Sequence, residues 1–350
     1  MTAPFSIGER EIGPDAPPFV IAEAGINHEG DLGKAKQLVD AAVAAGAECV
    51  KFQCHMVEHE MIPTNMKPGD ISDESLWDII ARCELTEAEE RELQAYCADK
   101  GIMFLSTPFS REAADRLADM NVPAFKIGSG ECNNLPLLDQ IARLGKPIIL
   151  STGMNDLASV RRSVDTISQH GVPLALLHCT SMYPTPYDKV RLGGIGDLAA
   201  VFPGVSIGLS DHSLGIWTCL GAVALGASIL EKHFTVSRDW PGPDTGLSIE
   251  PNELADLVSG SAAVWQARGG GKTILPDEQP VIDFAYASVV SLRSIALGET
   301  FSRDNIWVKR PGTGPILATE FESVIGHPAA RAIDANAQLS PEDIAGYAAS

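Results

Sequence analysis

The chain has 350 residues, 45% of them hydrophobic and 21% charged, which fits a globular protein with one large domain and one small one. Its formal net charge of −20 argues against general nucleic-acid binding and requires any anion site to be built from locally placed cations. No apolar run approaches the ~18–20 residues of a membrane-spanning helix, so no membrane partner is expected.

The N-terminus, MTAPFSIGEREIGPD, lacks a basic start followed by an apolar core and does not read as a signal peptide. From there to about residue 235 one theme repeats: a short apolar run closes in polar or glycine residues, and an amphipathic stretch follows. The strand-like runs are FVIAEAG (19–25), ECVKFQ (48–53), IMFLSTP (102–108), AFKIGSG (124–130), PIILSTG (147–153), LALLHCT (174–180), VSIGLSD (205–211) and SILEKHFT (228–235). Among the intervening helices, 31–48 is rich in good helix formers, and 86–101 opens with Thr86 and Glu89 as a capping box and ends at Gly101. Eight β-then-α units predict an α/β fold in which a parallel sheet closes into a (β/α)8 TIM barrel. Two connections, 54–74 and 181–194, are long enough to act as lids or specificity loops.

After the barrel segment 1–267, the Gly- and Pro-rich stretch 268–283 reads as a linker. The remaining 284–350 holds short, turn-punctuated apolar stretches and predicts a small domain of β character. The seven cysteines, at 49, 54, 83, 97, 132, 179 and 219, form no CxxC pair and point to reduced thiols in a cytoplasm; Cys49, Cys132 and Cys179 read as small buried fillers.

The active site of a (β/α)8 enzyme lies at the C-terminal ends of its strands. There this sequence places Glu23, Lys51 and Gln53, Ser106 and Thr107, Lys126 with Ser129 and Glu131, Ser151 and Thr152, His178 and Thr180, Ser210 with Asp211 and His212, and Glu231 with His233. Barrel packing alone does not need this much polarity. Lys51 and Lys126 fit three roles: partners of Glu23, Glu131 or Glu231, a phosphate or carboxylate clamp aided by the hydroxyls, or a Schiff-base nucleophile. His212 and His233, on consecutive strand ends, suit a shared and openly coordinated divalent metal. His178 reads as a core or supporting residue. Glu23 is either the ion-pair partner of Lys51 or a general acid/base, and Asp244 is either a turn residue or a substrate contact.

The stretches IAEAGINHEGDL, VKFQ, STPFS, FKIGSGECNN, ILSTGM, HCTSMYPTPYDKVRL, IGLSDHSLG, ILEKHFT, PGPD and VKRPGTG carry a resemblance. In their order, the chain resembles bacterial N-acetylneuraminate (sialic acid) synthases across essentially its whole length. The resemblance implies a (β/α)8 barrel joined to a C-terminal antifreeze-like (SAF) domain. It also implies condensation of phosphoenolpyruvate with an open-chain amino-sugar aldehyde, N-acetylmannosamine in the first instance, assisted by Mn2+ or Mg2+. Lys51, Thr107, Lys126, Ser129, Ser151 and Ser210 match the phosphoenolpyruvate-binding positions, and His212 and His233 match the metal ligands. Glu23, Gln53, Tyr183 and Asp244 match positions near sugar and metal. Arg310 matches an arginine delivered into a partner subunit's site, implying a domain-swapped homodimer. Ser181 stands where related enzymes often carry Asn near phosphoenolpyruvate. Asp70 and Ile71 stand where an Asn contacting the sugar is expected, which leaves a 2,4-diacetamido-trideoxyhexose, and hence a legionaminate- or pseudaminate-type product, as an alternative. A Schiff-base pyruvate lyase and a non-enzymatic carbohydrate-binding protein are further alternatives.

Overall fold

A computed structural model describes residues 4–68 and 73–347 and divides into two compact units, Met1–Gly269 and Gly270–Ser350. In the first, eight parallel strands alternate with helices: β1 (Phe19–Gly25), α1 (Leu32–Ala44), β2 (Cys49–Cys54), α2 (Glu87–Lys100), β3 (Met103–Pro108), α3 (Arg111–Asp119), β4 (Phe125–Ile127), α4 (Leu135–Arg143), β5 (Ile148–Ser151), α5 (Leu157–Ser168), β6 (Leu174–Cys179), α6 (Gly193–Val201), β7 (Ser206–Asp211), α7 (Trp217–Ala224), β8 (Ile229–His233) and α8 (Pro251–Ala267). The hydrogen-bonded order is β3-β2-β1-β8-β7-β6-β5-β4. β3 and β4, the two ends of this order, lie beside each other and complete the TIM-like ring.

Local chemistry sets the helix ends. The Asp31 carboxylate accepts the Lys34 N–H at the start of α1, and the Thr86–Glu89 capping box opens α2, which stops at Gly101. Most strands begin or end a residue or two inside the runs read from sequence. The largest difference is at β4: the run 124–130 is a strand only over Phe125–Ile127, and Ser129–Asn133 turns as a 3-10 helix. The connection 54–74 contains the helix Val57–Glu60, and a second short helix, Leu76–Cys83, follows before α2.

Side chains alternate across a strand, and this alternation builds the interior in layers. Ile21, Cys49, Leu105, Ala124, Ile149, Leu177 and Ile229 pack together inside the ring. An N-terminal hairpin of Phe5–Ile7 and Arg10–Ile12 adds Ile7 and Ile12 to this cluster. Two residues further along the same strands stand Glu23, Lys51, Thr107, Lys126, Ser151, Cys179 and Glu231. The apolar layer is the floor, and the polar layer above it is the mouth. The opposite faces of the strands pack against the helices in the main core.

The second unit is organised around Val289, Ile295, Phe301, Ile306, Ile316, Phe321, Val324, Ile333, Leu339 and Ile344. Its antiparallel pair is β9 (Ser288–Ser291) with β10 (Ile306–Lys309), extended by isolated bridges. Within 268–283, Pro276–Glu278 is a 3-10 turn and the helix Gln279–Ala285 begins. Among the described residues no helix is long and apolar enough to cross a membrane. All seven cysteines are buried and free.

Candidate active site

A cavity of about 140 Å³ opens at the mouth of the ring, lined by Glu23, Lys51, Gln53, Thr107, Lys126, Ser129, Ser151, Ser181, Tyr183, Ser210, His212, Glu231 and His233, with Phe109 and Met154 at its wall. A larger cavity, about 670 Å³, lies beside it along α5 and α6 and includes Asn155, Asp156, His178, Arg191 and Asp197. The smaller one is the candidate site, because lysines, carboxylates, hydroxyls and imidazoles converge there. His178 belongs to the larger cavity, and its Nε2 donates to the Val190 carbonyl at 2.7 Å, a supporting role.

The centre is a buried set of four charged groups. Lys51 Nζ lies 2.6 Å from Glu23 Oε2 and 3.9 Å from Glu231 Oε2, and it donates to Thr107 Oγ1 at 3.0 Å. Lys126 Nζ lies 3.2 Å from Glu231 Oε1, which also accepts the Ser210 hydroxyl at 3.0 Å. All four are 2–6% exposed. Lys126 therefore has a carboxylate partner within the chain, Glu231, one of the partners its sequence position offered. Burial favours the neutral Lys51 amine, but Glu23 and Glu231 outweigh it and hold its pKa above the ordinary lysine value. For Lys126 burial prevails over Glu231, and its pKa is lowered. Burial also raises Glu23 despite Lys51, whereas Lys126 and Lys51 together overcome burial at Glu231 and lower it. A buried ion-pair set of this kind is a poor source of stability compared with apolar packing, so its presence argues for function.

Around it stand hydroxyls without partners: Ser151 Oγ and Ser181 Oγ are buried and unbonded among the described residues. Such groups are costly unless they donate to something. Ser129 Oγ accepts the Gly153 N–H at 2.9 Å. A Cβ at Gly153 would lie 2.3 Å from Ser181 Oγ and 2.8 Å from Ser129 Oγ, so any side chain there would push these hydroxyls from their places. Two cations and a ring of hydroxyl donors form a cradle suited to phosphate and carboxylate oxygens.

At the side of the cavity, the His212 and His233 rings are 5.3 Å apart, and Tyr183 lies against His212 at 4.2 Å. His212 Nδ1 is 2.9 Å from the Thr180 carbonyl; a carbonyl only accepts, so this nitrogen carries a proton. Burial favours the neutral ring, but the Cys179 sulfur and the Thr180 carbonyl outweigh it and raise the His212 pKa. His233 Nδ1 is buried without a hydrogen bond among the described residues, 3.8 Å from Asp244 Oδ2. Burial, and then the cationic neighbours, push the His233 pKa well below the imidazole range. Two imidazoles side by side on adjacent strand ends are the kind of donor pair that suits a divalent cation. No cluster of three or more His, Cys, Asp or Glu side chains arranged for a metal occurs among the described residues. Asp244 also approaches Glu23 and Gln53 around Gly25: a Cβ there would meet all three within 3.5 Å, and its φ of +54° is in the left-handed region.

Two residues expected at the site, Glu131 and Asp244, do not line this cavity. Glu131 is carried away by the turn Ser129–Asn133; its Oε2 accepts the Asn134 amide at 2.6 Å, and it lines a cleft with Glu58, His59 and Glu112. Asp244 borders the histidines without lining the cavity. Arg310 belongs to the second unit, with its guanidinium 5.9 Å from the Phe284 ring centroid. Positions 70 and 71, where an Asn was expected, lie outside the described residues. Sequence reasoning placed Glu231 with His233 at a strand end and offered it as a lysine partner, without giving it a substrate role. It missed Phe109, Met154 and the buried His55.

The NeuB family profile matches residues 38–273, more than half of the chain, and a SAF domain profile matches 286–345. The chain is 39% identical to the N,N'-diacetyllegionaminic acid synthase of Campylobacter jejuni over 88% of this chain and 94% of that one. It is 36% identical to the N,N'-diacetyllegionaminic acid synthase of Legionella pneumophila over 88% of this chain and 89% of that one. The crystal structure of N-acetylneuraminic acid (sialic acid) synthetase from Leptospira borgpetersenii, in complex with citrate, superposes with a TM-score of 0.73 at 34% identity, covering 81% of this chain and 96% of that one.

Proposed function

The chain belongs to the NeuB family, and on that premise we propose that it condenses phosphoenolpyruvate with an open-chain 2-acetamido sugar and water, releasing phosphate and a nine-carbon 2-keto sugar acid. The observation that carries this reading is the paired-lysine cradle with unbonded serine hydroxyls beside two adjacent imidazoles. For the sugar we favour 2,4-diacetamido-2,4,6-trideoxymannose, supported by the two legionaminic acid synthases among the relatives. N-acetylmannosamine is the second reading, supported by the likeness to the Leptospira enzyme.

In this mechanism Lys51 and Lys126, with Thr107, Ser129, Ser151, Ser181 and Ser210, hold the phosphate and carboxylate of phosphoenolpyruvate. His212 and His233 would hold Mn2+ or Mg2+, which when bound supplies Lewis acidity to the sugar aldehyde. The enol carbon C3 forms the new bond to the aldehyde carbon, water adds at C2, and the C2–O bond to phosphate then breaks. Glu23 Oε2, beside Lys51 Nζ, moves the proton of the attacking water. Gln53, Tyr183 and Asp244 line the sugar's approach. The enclosing walls act mainly by holding both substrates in register and limiting bulk water.

The test is phosphate release by the full chain with phosphoenolpyruvate, Mn2+ and each sugar in turn. Turnover of the diacetamido sugar is expected to be faster. The reverse order selects the second reading, and no release with either sugar overturns the synthase assignment. Arg310 is assigned, on the sequence resemblance, to the sugar's acetamido group in a second copy of the chain. Arg310→Ala is expected to raise KM for the sugar by roughly tenfold, the loss of about one good charged hydrogen bond, while leaving KM for phosphoenolpyruvate unchanged. Unaltered sugar kinetics removes it from the site.

A further inference from the structure

Beyond the residues that line the mouth, a continuous hydrogen-bonded chain leads away from Glu23. Gln53 Nε2 donates to Glu23 Oε1 at 2.9 Å. Gln53 Oε1 lies 2.9 Å from His55 Nε2, and because an amide oxygen only accepts, the imidazole donates there. His55 Nδ1 sits 3.0 and 3.1 Å from the two oxygens of Glu60, which likewise only accept, so both ring nitrogens donate; Glu60 Oε2 also accepts the Met56 N–H at 3.3 Å. The ring of His55 stacks on Phe109, 4.5 Å between centroids and 10° from parallel. His55 is 4% exposed.

The local fold explains the arrangement. Lys51, Gln53 and His55 are alternate residues at and just past the end of β2. The helix Val57–Glu60 then folds the chain back, so that Glu60 meets the residue five positions earlier.

We propose that His55 is a positioning residue that fixes the Gln53 side-chain amide with its N–H end toward Glu23. An amide has two nearly isosteric ends. Rotated by half a turn, Gln53 would set its oxygen against the Glu23 carboxylate, which offers only acceptors when ionised. The His55 donor makes that rotation unfavourable, because it would face an NH2 group instead of an oxygen. Glu60 and Phe109 hold the imidazole in place by a charged partner and a stacking face. This deepens the synthase reading and rests on it, since it assigns a purpose to the orientation of Gln53 beside Glu23.

The experiment compares wild type, His55→Phe, His55→Gln, Gln53→Met and the His55→Phe/Gln53→Met double variant. The measurements are steady-state kinetics with both sugars, calorimetric binding of phosphoenolpyruvate, and thermal melting. His55→Phe keeps the stacking and loses both hydrogen bonds. Its kcat/KM for the sugar is expected to fall roughly 10–100-fold, the usual effect of removing a group that orients a site residue, while phosphoenolpyruvate affinity stays within about twofold of wild type. His55→Gln, whose Nε2 can take the place of the imidazole donor, is expected to recover most of the loss. The double variant is expected to be no worse than Gln53→Met alone, because His55 acts through Gln53. Multiplied losses in the double variant, equal damage in both His55 variants, or unchanged kinetics in His55→Phe would each overturn the proposal. Should His55→Phe not fold, Glu60→Gln tests the same link, with a smaller sugar-specific loss expected and unchanged kinetics overturning it. Failure of the synthase reading shows separately, as absence of phosphate release by wild type.

Discussion

His233→Ala is expected to abolish metal-dependent turnover while leaving the barrel folded. The imidazole lines the cavity 5.3 Å from the ring of His212, and its Nδ1 has no hydrogen-bond partner among the described residues. Truncation therefore removes an unsatisfied buried polar atom and breaks no structural hydrogen bond of that nitrogen, so the stability cost is that of a small cavity. The functional cost is much larger. A Lewis acid at the aldehyde is worth several kcal/mol, and each 1.4 kcal/mol is tenfold in rate, so turnover should fall at least roughly 10³-fold. Phosphoenolpyruvate should still bind, because Lys51, Lys126 and the hydroxyls are untouched. Calorimetry with phosphoenolpyruvate, circular dichroism, and Mn2+ titration of wild type and variant separate these effects. Full turnover of the variant with Mn2+ would remove His233 from the metal site.

The second large effect is at Lys51. Lys51→Met keeps much of the volume and the stem but removes the ammonium that faces Glu23 at 2.6 Å and Glu231 at 3.9 Å. Removing one member of a buried ion pair costs about 3–5 kcal/mol, because the remaining charge stays desolvated. A substantially lower melting temperature is expected, together with loss of phosphoenolpyruvate binding. The double variant Lys51→Met/Glu23→Gln should regain most of the stability, since no charge of that pair remains, and should stay inactive. Recovery of stability without activity is the signature of a pair kept for chemistry. If the single variant melts like wild type, the Lys51–Glu23 pair is not the energetic centre of the mouth. If the double variant is active, neither residue works on substrate.

Within the C-terminal unit the sequence was less explicit. Turn-punctuated apolar stretches indicate β character, but among the described residues only two four-residue strands form a ladder there, and the rest of the sheet-like pairing is by isolated bridges. Short elements of this kind carry too few periods of alternation to be placed from sequence.

The barrel was legible because its signals are local. Alternation with period two follows from the pleat of a strand, so Ile21 and Glu23, Cys49 and Lys51, Leu105 and Thr107, Ala124 and Lys126, and Ile149 and Ser151 each appear in the sequence as an apolar floor residue followed by a polar mouth residue. The Thr86–Glu89 box and Gly101 likewise mark their own helix. Sequence by itself thus determined the eight strands, the polarity of their ends, and the family resemblance. Only the tertiary structure decided which charge meets which. Lys126 pairs with Glu231, 105 residues away in sequence, and not with its neighbour Glu131, because the short β4 gives way to a 3-10 turn that carries Glu131 out of the mouth. The tertiary fold also joined His212 to His233, brought Asp244 to His233, and set Glu60 beneath His55 to orient Gln53. Closing the ring fixes these partnerships by bringing strands far apart in sequence side by side, and no local period of the chain encodes that register.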